Sequence, residues 1–131
     1  MTTERTTLAK LAERVQIEVG TDVRKAWGQQ DEWQQTANGY RITLRYQGRR
    51  MSLDFWQGTG IKDEPTAAGV LECLLLDVVE EGTGFNNWCD EYGLDSDSRK
   101  ALRTYKTCVR QTAKLRKLLG DDFDTFRDAE I

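Results

Sequence analysis

Residues 40–58 read YRITLRYQGRRMSLDFWQG, and the fold class turns on them. Tyr40, Ile42, Leu44 and Tyr46 alternate with Arg41, Thr43 and Arg45. Beyond Gln47-Gly48, Met51, Leu53 and Phe55 alternate with Arg50, Ser52, Asp54 and Trp56. Alternation with a period of two marks strands that bury one face. A two-residue Gln-Gly turn pairs Leu44 with Met51, Ile42 with Leu53 and Tyr40 with Phe55, and all three apolar pairs then share a face. A slip of one residue would turn the whole set to water, so the register is strongly specified. Gly48 supplies the positive φ that such a turn requires.

On the N-terminal side, Leu8, Leu11, Ala12 and Val15 recur at i, i+3, i+4 and i+7. That spacing predicts an amphipathic helix of about three turns, capped by Thr3, Thr6 or Thr7. A short strand around 15–23 and a polar loop should follow. On the C-terminal side, Gly58, Gly60 and Pro65 mark the exit from the sheet. The Gly-x-Gly lacks the further Gly, Lys and Ser of a phosphate loop and reads as a plain turn. A helix over about 66–81 would bury Val70, Leu71, Leu74, Leu75 and Val78 and stop at Gly82. A shorter helix carries Phe85, Trp88, Cys89 and Tyr92 and stops at Gly93. A long one, capped among Asp95, Ser96 and Asp97, runs to Leu119 and ends at Gly120. Residues 121–131 form a last turn that docks through Phe123 and Phe126 or frays.

These elements predict one α+β domain over 1–131, with 1–38 as helix, strand and loop, 39–58 as the hairpin, 65–120 as the helical part and 121–131 as the terminal turn. A small antiparallel sheet centred on the hairpin at 40–57 would be covered on one face by about four helices. The chain's 131 residues suit a single core.

The composition excludes much chemistry. There is no His anywhere, which removes His general bases, His metal ligands and Ser-His or Cys-His relays. Cys73, Cys89 and Cys108 form no CxxC and fall on apolar stripes, so they read as small buried hydrophobes in a reducing cytosol. No Asp-rich loop has calcium-ligand spacing. No catalytic set, cofactor or metal is expected. The opening MTTERTTLAK has no apolar segment of the signal-peptide kind, and no apolar run is long enough for a span; the expectation is a cytoplasmic protein with no membrane contact.

Net charge is only −3, yet the charges are sorted. Residues 99–117 hold eight Lys or Arg and no carboxylate, whereas 63–98 hold ten carboxylates and no cation. On a helical projection, Arg99, Arg103, Lys106, Arg110, Lys114 and Lys117 form one basic stripe. Ala101, Tyr105, Cys108, Val109, Thr112, Leu115 and Leu119 fall opposite. Such a stripe is what packing alone produces on a surface helix. It also suits a nucleic acid or an acidic protein. Asp77, Glu80, Glu81, Asp90, Glu91, Asp95 and Asp97 either pair with the basic helix or project together as a patch that imitates phosphates toward a basic partner. The outer hairpin face offers Arg41, Arg45, Arg50 and Trp56. Arg45 opposite Arg50 is a repulsive pair unless an anion lies over it. Those groups suit single-stranded nucleic acid, or cover by a loop bearing Trp27, Asp31, Glu32 and Trp33.

The segments YRITLR, GRRMSLDFWQGTG, PTAAGVLECLLLD, WCDEYGLDSDSRK and YKTC together resemble small, uncharacterised proteins encoded by bacteriophages and bacterial mobile elements. The similarity runs from about Trp33 to Gly120. It implies a phage or prophage accessory protein acting inside a bacterium. It further implies an anti-CRISPR-like, non-enzymatic inhibitor that binds a host protein or ribonucleoprotein defence complex. The alternative is a nucleic-acid-binding module that uses the basic helix and the arginine-rich hairpin face.

Overall fold

The computed structural model describes residues 7–20, 24–27, 36–57 and 63–129, with side chains described outside 24–27 and 36–38. The order is α1 (Leu8–Ala12), β1 (Gln16–Val19), β2 (Arg24–Trp27), β3 (Thr36–Tyr46), β4 (Arg49–Gln57), α2 (Ala67–Leu76), α3 (Phe85–Tyr92), α4 (Arg99–Leu119) and, after a 3₁₀ turn at Gly120–Asp122, α5 (Phe123–Arg127). It is an α+β fold, as the alternation and helical periods predict.

The hairpin holds the expected register: Leu44 faces Met51, Ile42 faces Leu53 and Tyr40 faces Phe55. Gln47 and Gly48 both take positive φ, the conformation of the turn that matches strand twist. The sheet is larger than the hairpin. β3 pairs with β4 along one side and with both β1 and β2 along the other, always antiparallel. Val19 faces Ile42 and Arg24 faces Gly39, so the register shifts by two between β1 and β2. The region expected to be a polar loop therefore contains a strand. No apolar alternation announces β2; backbone pairing to the first residues of β3 makes it. The expected cover of the hairpin by Asp31, Glu32 and Trp33, and by the Trp27 side chain, lies outside the described residues.

Tyr40, Ile42, Leu44, Tyr46 and Met51 are buried on the inner face of the sheet, where α1, α2, α4 and α5 meet them. α1 is one short turn and not three. Thr7 caps it, and Arg14 and Val15 donate to Leu11 and Ala12, three residues back, so the chain tightens and leaves for β1. α2 stops at Leu76, well before Gly82. The Val79 amide donates instead to Thr112 Oγ1 on α4 at 3.0 Å, so a tertiary hydrogen bond ends the helix. α3 ends as expected at Gly93. The Leu94 amide reaches Cys89 O and the Gly93 amide reaches Asp90 O, a left-handed cap. α4 starts at Arg99 and is capped by Ser98, not by the expected Asp95, Ser96 or Asp97; the Ser98 hydroxyl accepts from the Ala101 amide. The terminal turn is helical and docked, with Phe126 edge-on to Tyr46 at 5.5 Å.

A second, smaller cluster lies toward the start of α4. Val79, Trp88, Cys89, Ala101 and Cys108 are buried there, with Phe85 and Tyr105 against them. Cys89 and Cys108 are the small buried hydrophobes expected, but Cys73 is exposed. Position 73 falls off the α2 face that carries Val70, Leu71 and Leu74. Val109, expected among the apolar residues, is also exposed.

Candidate anion-binding surface

α4 presents its cations as the projection requires. Ala101, Cys108, Thr112, Leu115, Leu118 and Leu119 are buried, while Arg99, Arg103, Lys106, Arg110, Lys114 and Lys117 are exposed. Among the described residues none of those six makes an ion pair with a carboxylate. Successive members are three or four residues apart, which spaces their Cβ atoms by about 5–6 Å. From Arg99 to Lys117 the stripe is about 27 Å long. That is about eight steps of one duplex strand at ~3.4 Å each.

The hairpin tip holds a second basic group that the sequence hides. Arg14, leaving α1, meets Arg45, Arg49 and Arg50 around a concavity of about 480 Å³, with Gln16 and Gln47 completing its polar wall. Among the described residues no carboxylate lines it. Arg45 faces Arg50 directly across the strands. Arg49 lies on the inward side of β4, and its Nε donates to Leu118 O at 2.8 Å in the last turn of α4. Its guanidinium stands 6.0 Å from the Tyr46 ring. The nearby Asp122 accepts from the Tyr46 hydroxyl at 2.5 Å and from Gln47 at 3.5 Å. The hydrogen bond to Asp122, followed by burial, raises the Tyr46 phenol above its ordinary pKa, and Arg14 pulls weakly the other way.

Two contacts tie α4 to the strand that carries the tip arginines. Lys114 Nζ donates to Ser52 O at 3.5 Å, two residues along β4 from Arg50. Arg49 fixes the tip to the end of α4 from the other direction.

The hairpin-face set expected from sequence comes apart. Arg41 lies 3.6 Å from Asp54, its partner across the strands, and Arg45 lies 3.3 Å from Glu18 of β1. Trp56 lies over Gly39, where a Cβ would stand only 2.2 Å from the indole. It is thus six residues, or about 20 Å of strand, from Arg50. The structure does not bring that indole to the arginines of the tip. Arg14 and Arg49 escape a linear reading for separate reasons. One sits beyond a helix end, and the other has the inward parity of its strand. Only the tertiary packing joins them.

The acidic set is also divided. Glu80 lies 3.0 Å from Arg127 and 3.9 Å from Arg116. Asp77 shares a concavity with Lys100 and Arg103 at the start of the basic stripe, and burial raises its carboxyl pKa. Glu81 belongs to the turn of Gly82, closed by the Thr83 amide on Glu80 O. Asp90 and Glu91 on α3, with Asp95 and Asp97 in the following loop, remain exposed. Asp95 spends one oxygen on the Asp97 amide at 2.9 Å.

All three thiols are pushed above their ordinary pKa, each chiefly by burial, with neighbouring carboxylates adding to the effect: Asp77 and Glu72 at Cys73, Asp90 and Asp95 at Cys89, Asp77 at Cys108. Among the described residues no group of His, Cys, Asp or Glu is placed to hold a metal, and no helix is long and apolar enough to cross a membrane. No protein-family model, curated protein or solved structure matches the chain.

Proposed function

We propose that this protein acts by contact and not by catalysis, and that its contact surface receives the phosphate backbone of a nucleic acid. The observation that carries the reading is the line of six exposed cations on α4, none of them ion-paired with a carboxylate among the described residues, with Lys114 hydrogen-bonded to Ser52 O of the strand that leads to the tip arginines. Cations held at regular intervals on a rigid helix meet a polyanion with little ordering cost and release its counterions on binding. The resemblance to phage and mobile-element proteins supplies a setting: the nucleic acid belongs to a host ribonucleoprotein defence complex, and occupying it blocks that complex in the anti-CRISPR manner.

The test is binding to a labelled 20-nucleotide strand and to a duplex across a salt series. With about six phosphates engaged, log affinity should fall against log salt with a slope near −4 for the strand and near −5 for the duplex. Charge reversal by Arg103→Glu, Lys106→Glu and Arg110→Glu together should abolish most of that slope. No complex at low salt would overturn the reading.

A second reading is an acidic docking patch for a basic protein. One observation favours it: Asp90, Glu91, Asp95 and Asp97 face solvent beside Tyr92 and Leu94, themselves 50% and 43% exposed. Reversing those four carboxylates to Lys and finding capture of a host complex undiminished would remove it.

A further inference from the structure

We propose that the basin at the hairpin tip takes the terminal phosphomonoester of the bound strand, so that the protein holds nucleic acid by its end; this rests on the nucleic-acid reading above. The helix and the tip differ in shape. Along α4 the cations form a line, each separated from the next by a helical turn, which suits successive singly charged diesters. At the tip, Arg14, Arg45, Arg49 and Arg50 line one concavity of about 480 Å³ whose lining holds no carboxylate among the described residues, with Glu18 on Arg45 as the nearest counter-charge. One diester carries too little charge to answer that concentration, whereas a terminal monoester carries close to two negative charges and three acceptor oxygens at neutral pH.

The pairing of Arg45 with Arg50 points the same way. Like charges directly opposed across two strands destabilise a sheet unless an anion bridges them. Glu18 stands 3.3 Å from Arg45, but Arg50 has no carboxylate partner among the described residues. Arg49 is braced on Leu118 O and on Gln47 Oε1, and so holds its place before any ligand arrives. Planar guanidinium groups bind phosphate oxygens in pairs, which is geometrically specific where a lysine is not. The basin also sits at the C-terminal end of the stripe, beside Leu118. A strand whose end is held there has the length of α4 to follow.

The experiment compares one 20-nucleotide single strand carrying a 5′-phosphate, a 3′-phosphate or hydroxyls at both ends. The expected result is about tenfold tighter binding of one phosphorylated form, the effect of one charge-assisted pair. That preference should vanish in Arg50→Ala and in Arg45→Ala/Arg50→Ala, so that the three strands bind these variants equally. Inorganic triphosphate should compete about tenfold better for the preferred strand's end-dependent binding than for the hydroxyl strand. Both arginines are exposed, so the variants should keep the wild-type thermal midpoint. Equal binding of all three strands would overturn the end-recognition proposal and leave the backbone reading standing. Failure of every strand to bind would overturn both. Triphosphate binding without any strand binding would overturn the strand assignment and mark the basin as a site for free polyphosphate.

Discussion

The two halves of α4 sit on different kinds of support. Its C-terminal half drives Leu115, Leu118 and Leu119 into the main core, a cluster of seventeen buried residues that counts these three, Val15 and residues of the sheet, α1, α2 and α5. Its N-terminal half rests on a cluster of only five, enlarged by the partly buried rings of Phe85 and Tyr105. Phe85, Trp88 and Tyr105 lie 5.5–6.4 Å apart, and the Tyr105 hydroxyl donates to Thr83 O at 2.7 Å. One helix thus spans a thick core and a thin one. Buried apolar area sets the free energy of local opening, so the α3 end of the molecule should open before the sheet does.

The sharpest way to break that contrast is a matched pair of truncations. Leu115→Ala removes a fully buried side chain from the main core and should cost about 2–5 kcal/mol, lowering the denaturant midpoint for every probe together. Trp88→Ala removes a larger side chain from the thin core. Because that region opens locally, the change should speed amide exchange in α3 and the start of α4 while β3 keeps its protection. If Trp88→Ala costs β3 as much protection as Leu115→Ala does, the two clusters are one cooperative unit and the contrast is false.

A smaller effect is expected where the halves meet. The buried Thr112 hydroxyl accepts from the Val79 amide at 3.0 Å and donates to Cys108 O at 2.8 Å. Thr112→Val keeps the volume and strands that amide, at a cost of about 1–3 kcal/mol. The loss should appear as exchange at Val79 and α3 before the sheet responds.

The smallest effect is on pH dependence, to which raised groups of both regions contribute, Tyr46 in the main core and Cys89, Cys108 and Tyr92 at the α3 end, so the Tyr46 share is read from its own variant. The raised phenol of Tyr46 belongs to the main core alone. A group whose pKa is higher folded than unfolded stabilises the fold fully below its unfolded value, about 10 for Tyr, and that contribution is lost as pH rises through the folded value. The denaturant midpoint should therefore fall on alkaline titration above about pH 10, and should fall less steeply in Tyr46→Phe.

How much of this was legible beforehand follows the same division. The hairpin register was readable because each apolar residue of 40–57 has a single face on which it escapes water. The endings of α3 and α4 were readable from Gly93 and Gly120, which take left-handed φ. β2 was not, because backbone pairing makes it without an apolar pattern. The early end of α2 was hidden because its cause, Thr112, lies thirty-three residues away. The basic stripe on α4 needed only a helical period. The basin at the tip needs three elements brought together, so Arg14 and Arg49 carry no signal in the linear pattern.

One contact has a consequence for the molecule's behaviour in a crowd. Among the described residues β4 has no strand on its outer side, and such a margin invites a neighbouring chain to zip on. Lys114 stands over that margin, hydrogen-bonded to the Ser52 carbonyl. An incoming strand would have to displace the ammonium and strip its hydration to reach the carbonyl. A lysine at such a margin raises the cost of adding a further strand.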